Sequence, residues 1–161
     1  MIKKIKGNIF NTSCQTLVNT VNCVGVMGKG IAFECKLRFP EMFEKYKEFC
    51  EKKLIKPGSL QLWNSSKPWV LNFPTKVHWK DPSKIEYLYK GLDKFKNEYS
   101  KKNITSIAFP LLGASLGGLS EELVYETMTK YLEPLNNIDI EIYEYDANAG
   151  DDLFNLFHQK V

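Results

Sequence analysis

An α/β sandwich, with parallel strand pairs and helices on both faces, is the fold this chain predicts, and three observations carry the prediction. Residues 17–22 alternate as a strand does, 23–30 form a glycine-spaced loop, and 31–39 are apolar at helical spacing. The same order of strand, glycine loop and helix returns at 104–135. Around these two units, short alternating runs keep changing places with helical ones, and strands separated by helices join a sheet in parallel.

Residues 2–6 read as the first strand and 7–9 as the turn that leaves it. Asn8 in that turn has two uses open to it, a local cap or a hydrogen bond to a base edge, and capping is the commoner. The strand at 16–22 follows, then the glycine loop and its helix. Pro40 interrupts that helix after Phe39, since proline lacks the N–H a helix interior needs. Phe43, Tyr46 and Cys50 continue an apolar stripe through Lys53, so this side carries two helices in tandem or one kinked helix. Pro57-Gly58 turns the chain into a strand at 59–63, and 69–73 make a stronger strand ended by Pro74. Ser83 with Glu86 three residues on reads as a capping box, and Ile85, Leu88, Leu92, Phe95 and Tyr99 mark one face of the helix it opens. The strand at 104–109 is closed by Pro110. Ser120 then caps a helix that turns Val124, Met128, Tyr131 and Leu135 inward. A last strand is expected at 138–145, and a terminal helix at 151–158 packing Leu153, Phe154, Leu156 and Phe157.

With 161 residues and no low-complexity tract, repeat or linker, residues 1–161 are expected to form a single domain with its own core. A hydrophobic fraction of 43% and a charged fraction of 25% are those of a globular protein. No run approaches the length of a membrane span and the N-terminus has no apolar signal core, which predicts a cytoplasmic protein without a membrane partner. The cysteines at 14, 23, 35 and 50 form no CxxC pair and meet no histidine at zinc-ligand spacing. Buried thiols are expected, with no metal, cofactor or disulfide framework. A net charge of +3 permits a nucleic-acid substrate without predicting one.

In parallel sheets ligands gather beyond the carboxyl ends of the strands. Three loops leave strands there: 23–30, 75–82 and 111–119. Glycines at 25, 28 and 30 let the backbone turn sharply and approach a ligand, and the helix that follows aims unpaired N–H groups at the same point. That makes an anion site; an ordinary tight turn is the competing reading. Spacing excludes two familiar phosphate motifs. Gly30 stands where a Walker A loop needs Ser or Thr, and Gly25-x-x-Gly28-x-Gly30 is not the dinucleotide fingerprint. Asn22, at the strand exit, offers a neutral donor and acceptor suited to a sugar hydroxyl. Lys76, His78 and Trp79 fall within four positions, a composition suited to chemistry, although each also has an ordinary role as surface lysine, packed histidine or core indole.

With residues 7–9, 18–22, 25–32 and 113–119 in this order, the chain resembles a macrodomain. More narrowly, Asn-Thr-Val-Asn-Cys-Val-Gly-Val-Met-Gly-Lys-Gly-Ile-Ala (19–32), Phe-Pro-Thr-Lys-Val-His-Trp-Lys (73–80) and Leu-Gly-Ala-Ser-Leu-Gly-Gly-Leu (112–119) are similar to the DarG antitoxin branch, near the human terminal ADP-ribose protein glycohydrolase. The likeness spans nearly the whole chain. It implies a three-layer α/β/α macrodomain with a mixed, largely parallel central sheet. It also implies an ADP-ribosyl glycohydrolase that removes mono-ADP-ribose from DNA bases, thymine-linked favoured, or from guanine or protein. Matched by position, Asn8 and Ile9 lie beside the adenine and Asn22 faces the distal ribose. Gly28, Lys29, Gly30, Ile31 and Ala32, with Gly113, Ala114, Ser115, Leu116 and Gly117, surround the diphosphate. Thr75 lines the ligand next to Lys76, which matches the branch's catalytic lysine. The implied partners are ADP-ribose, ADP-ribosylated single-stranded DNA and a DarT-like ADP-ribosyltransferase toxin, for a monomeric chain.

Two departures matter. Most macrodomains carry Asp where Asn8 stands. The catalytic Asp of the human relative falls on Gly117, so its two-residue mechanism does not carry over; the DarG branch also has glycine there. Cleavage at C1 of the distal ribose passes through an oxocarbenium-like state. Asn22 is expected to orient the ribose, Lys76 to protonate the departing base or attack the anomeric carbon, and His78 to relay a proton. A non-catalytic ADP-ribose reader, using the same cleft, is the alternative.

Overall fold

A computed structural model describes residues 1–151. Six strands form one sheet: β1 (Ile2–Gly7), β2 (Thr16–Val21), β3 (Gln61–Trp63), β4 (Trp69–Pro74), β5 (Ser106–Pro110) and β6 (Asp139–Tyr145), in the order β1-β6-β5-β2-β4-β3. Every pairing is parallel except β3 against β4, so the sheet is mixed and largely parallel, as expected. The helices are α1 (Gly30–Arg38), α2 (Pro40–Glu51), α3 (Ile85–Glu98) and α4 (Glu121–Leu132).

Side chains alternate across a strand, and that alternation divides the core into two layers. Val18 of β2, Ile107 and Phe109 of β5, and Leu71 and Phe73 of β4 join Leu88, Leu92 and Phe95 of α3 and Val124, Met128 and Leu132 of α4. Their neighbours in sequence, Leu17, Val21, Ala108 and Val70, turn the other way, onto Cys35 of α1 and Met42, Phe43, Tyr46 and Cys50 of α2. Two helices therefore cover each face. On the α3 side the approach is close enough to require glycine: a Cβ on Gly91 would lie 2.2 Å from the Phe73 ring.

Several expectations change in detail. Of the two readings at Pro40, tandem helices hold: the proline starts a second helix, at the first helical position, where its missing N–H costs nothing. Ser83 does not cap α3: that helix opens after Lys84 with no side-chain cap, and Ser83 is buried instead. Its amide donates to the Gly117 carbonyl (2.9 Å), a tertiary contact that wins over the local capping box. Ser120 does cap α4, accepting from Leu123 N. That helix stops at Leu132, so Leu135 lies beyond it, half-buried against the α3/α4 core. Among the cysteines, 35 and 50 are buried while 14 and 23 are half-buried, and all four are free thiols. The expected terminal helix at 151–158 lies outside the described residues, apart from Asp151. Among the described residues, no helix is long and apolar enough to cross a membrane and no cluster of His, Cys, Asp or Glu could hold a metal ion.

The topology sets the position of the site. Because β1, β2, β4, β5 and β6 are parallel, their carboxyl ends share one edge, and the loops at 8–15, 22–29, 75–84 and 111–119 all leave from it.

Candidate active site

The first glycine loop is built on a buried amide. Asn22, 7% exposed, follows β2, and its Oδ1 accepts from Val24 N (3.0 Å), Val26 N (3.4 Å) and Tyr46 Oη (2.8 Å), while its Nδ2 donates to the Val26 carbonyl (2.7 Å). Tyr46 comes from α2, and burial holds its phenol above its ordinary pKa, so it stays a donor. Met27, 2% exposed, plugs the loop into the core between Gly25 and Gly28, beside Asn19 Nδ2. Asn19 in turn donates to Asn72 (3.0 Å), and Asn72 to Gln61 (3.1 Å), a polar ladder across β2, β4 and β3. Gly25 and Gly30 both sit at positive φ, where a side chain would be strained. The sequence expectation for Asn22 is therefore narrowed: its oxygen is occupied by its own loop, and one N–H remains for a ligand.

Past Met27 the chain is exposed through Gly28, Lys29 and Gly30, and α1 begins with no side-chain cap. The Phe33 amide is the first to turn inward, onto the Lys29 carbonyl (3.3 Å), so the amides of Gly30, Ile31 and Ala32 precede the first helical hydrogen bond at the helix N-terminus. An uncapped helix start of this kind favours an anion.

The second glycine loop faces the first. Gly113 and Gly118 have positive φ, and so does Ser115, a conformation uncommon for a residue with a side chain. Residues 115–117 make one turn of 3-10 helix, and Leu116 at its crest is 60% exposed. Its side chain reaches across the cleft, since a Cβ on Gly30 would lie 3.1 Å from Leu116 Cδ1. From below, Ser83 fills the space that side chains at Gly113 and Gly117 would need: a Cβ on Gly117 would come within 2.5 Å of Ser83 Oγ. That hydroxyl is buried without a partner.

The third loop brings the lysine. Thr75 is buried and extends the ladder through its amide to the Val21 carbonyl (2.9 Å). Cys23 fastens the first loop to this one, its amide donating to the Val77 carbonyl (2.8 Å) and its thiol to the Lys76 carbonyl (3.3 Å). Burial, with the neighbouring Cys50, pushes that thiol up to about 11, so it is a donor and not a nucleophile. Lys76 Nζ then spans to the second loop, donating to the Leu116 carbonyl (3.0 Å) and to the Trp79 carbonyl (3.3 Å). His78 Nδ1 accepts from the Lys80 amide (3.1 Å), and its ring lies 5.3 Å from that of Trp79. Trp79 is not core: it is 48% exposed.

At the far end of the edge, Asn8 caps the one-turn helix Ile9–Asn11, its Oδ1 accepting from Phe10 N (2.9 Å), which is the commoner of its two expected uses. Ile9 beside it is buried. A groove of about 790 Å³ opens beside α4, where Glu121, Glu122, Glu126 and Glu133 outnumber Lys4 and Lys130. Tyr46, Met27 and Ser83 are the site residues that sequence reasoning missed. Tyr46 and Met27 carried only an apolar signal, and the signal at Ser83 pointed to a cap.

An uncapped helix start and a glycine turn facing each other at the carboxyl edge of a mixed, largely parallel sheet, with an ammonium linking the turn to a third loop, define the class of α/β domain. The chain belongs to the Macro domain family, whose model matches residues 18–128. It is 39% identical over 147 residues to a DNA ADP-ribosyl glycohydrolase of Mycobacterium tuberculosis, a match covering 89% of this chain and 42% of that protein. The macrodomain of Thermus aquaticus DarG superposes with a TM-score of 0.85 at 36% identity, covering 89% of this chain and 98% of that one. Thermosipho africanus DarTG in complex with ADP-ribose superposes with a TM-score of 0.84 at 34% identity, covering 96% of this chain and 44% of that one. The chain thus spans less than half the length of its curated glycohydrolase relatives.

Proposed function

We propose that this chain is an ADP-ribosyl glycohydrolase acting on ADP-ribosylated DNA, thymine-linked by preference. The observation that supports the reading is the position of Lys76: its ammonium ties its own loop to the second glycine loop through the Trp79 and Leu116 carbonyls, beside the proposed anion site. Relatives 36% and 39% identical over 89% of this chain are named DNA ADP-ribosyl glycohydrolase. In the proposed complex the diphosphate rests between the α1 N-terminus (Gly28, Lys29, Gly30, Ile31, Ala32) and the second loop (Gly113, Ala114, Ser115, Leu116, Gly117). The adenine lies by Asn8 and Ile9, and the distal ribose by Asn22 and Thr75.

The C1–base bond of the distal ribose breaks as positive charge grows on the sugar. Lys76 gives a proton to the departing base nitrogen, and water adds at C1 and returns a proton to the amine. The products are free ADP-ribose and the unmodified base. His78 offers the outer end of a proton path, through the nitrogen not engaged by Lys80. Within a longer protein, or beside one, a DarT-like transferase is the proposed counterpart that makes the substrate.

A set of defined substrates (ADP-ribosyl-thymidine DNA, ADP-ribosyl-guanosine DNA, glutamate-linked peptide) decides the matter. The expected result is release of ADP-ribose from the thymidine substrate, at least a hundredfold slower in Lys76→Ala, with ADP-ribose affinity by titration calorimetry within a few fold. Full activity in Lys76→Ala removes the assignment; binding without release by the wild type makes the chain a reader.

A further inference from the structure

We propose that Trp79 is a stacking platform for a nucleobase next to the modified one on a single DNA strand, with Lys80 serving the adjacent phosphate. This rests on the DNA-directed reading above, and it adds a residue that the ADP-ribose cleft does not require. The backbone of two glycine loops already accounts for the diphosphate, and neutral amides account for the sugars and adenine.

The indole is placed for a partner from outside. Trp63 and Trp69 pack against the two cores, whereas Trp79 stands half in solvent. It is nonetheless held. Its carbonyl accepts from Lys76 Nζ, His78 leans on its ring at 31°, and Lys80 Nζ lies 5.1 Å from the ring centroid. The backbone under the platform is therefore tied to the Lys76 amine, so a base on the indole lies within the same short loop as the group proposed to act on the sugar. The apolar rim continues around the mouth, with Val77 on the same loop, Val24 and Val26 on the loop tied to it through Cys23, and Leu116 opposite, all exposed.

The chemistry of this patch selects its occupant. An exposed indole with an ammonium over its ring suits a planar aromatic group that carries an anion one bond system away, which is a nucleotide. A base arriving on that ring displaces the Lys80 ammonium toward its own phosphate, so the cation is not lost to the complex. Lys84, with its Nζ 5.9 Å from the Tyr87 ring, continues the positive charge outward. Paired bases in a duplex have no free face to offer, so the strand must be single.

The test compares two substrates that share the scissile bond: a single-stranded oligonucleotide of about nine residues with one central ADP-ribosylated thymidine, and the ADP-ribosylated nucleoside alone. Trp79→Ala is expected to lower kcat/KM on the oligonucleotide about tenfold, through KM, and to leave the nucleoside unchanged; Trp79→Phe restores most of the loss. An equal loss on both substrates, or none on the oligonucleotide, overturns the platform. If the wild type cleaves neither, the glycohydrolase reading fails by itself, and the platform is read from Trp79 fluorescence in a Trp63→Phe, Trp69→Phe background. Saturable quenching by oligothymidylate supports it, and no quenching overturns it.

Discussion

The two glycine loops face the same cleft but are held in different ways. The first is wound on side chains that belong to the core: the Asn22 amide with its four hydrogen bonds, the Tyr46 hydroxyl and the Met27 plug. The second is held by its own backbone turns, by one lysine from a neighbouring loop and by the fit of Ser83 beneath it, with Ser115 in a left-handed conformation and Leu116 in solvent. The difference teaches a division of labour. The first loop's shape is set by buried side chains, while the second loop's hold on its neighbour runs through the single Lys76 side chain, so in the proposed complex the first loop keeps its backbone and the second loses its latch when that amine turns to the substrate.

Four substitutions or conditions break or sharpen this contrast. Lys76→Ala cuts the latch without touching the first loop. Turnover is expected to fall at least a hundredfold while the unfolding free energy from urea titration stays within about 0.5 kcal/mol of wild type, as for other partly exposed groups. Asn22→Ala attacks the opposite anchor and leaves the Val24 and Val26 amides short of a partner, while the Tyr46 hydroxyl keeps the backbone carbonyl of residue 22 (2.8 Å). Denaturant titration should show a loss of about 3 kcal/mol, and calorimetry a more than tenfold weaker ADP-ribose affinity. A stable Asn22→Ala variant with unchanged affinity contradicts the core-anchored first loop.

Gly117→Ala drives a methyl group onto Ser83 Oγ and should cost about 1–3 kcal/mol. Adding Ser83→Gly should return part of that loss, and strict additivity of the two variants shows that the contact is not what restricts position 117. The smallest effect is one of pH. The first loop is fastened by acidic groups whose protons the fold retains, and the second loop has no titratable residue of its own. With Cys23 raised from 9.0 to about 11, the unfolded chain loses its proton first, so stability falls as pH climbs through that window and is unaffected below it. The drop should shrink in Cys23→Ala, measured by urea unfolding across the same range.

The sandwich was readable because period-two and helical patterns are local, and the anion loop because glycine spacing is local. What escaped was tertiary. Ser83 and Glu86 have the spacing of a capping box, yet the space under Gly117 claims the serine and the helix begins at Ile85 without it. Tyr46 looked like one more residue of an apolar stripe, and only the fold brings its hydroxyl to Asn22. Asn22 itself stood out as a polar residue at a strand exit, but the sequence gives no sign that its oxygen is consumed at home. Lys76 was legible through the motif around it, while its hold on the Leu116 carbonyl depends on two loops that meet only in space.

The most direct test is a crystal structure of this chain with ADP-ribose bound. The diphosphate should lie between the start of α1 and residues 113–117, the first loop should keep its present backbone, and Lys76 Nζ should leave the Leu116 carbonyl for the anomeric carbon of the distal ribose. A distal ribose that exits elsewhere, with Nζ still on that carbonyl, contradicts the account.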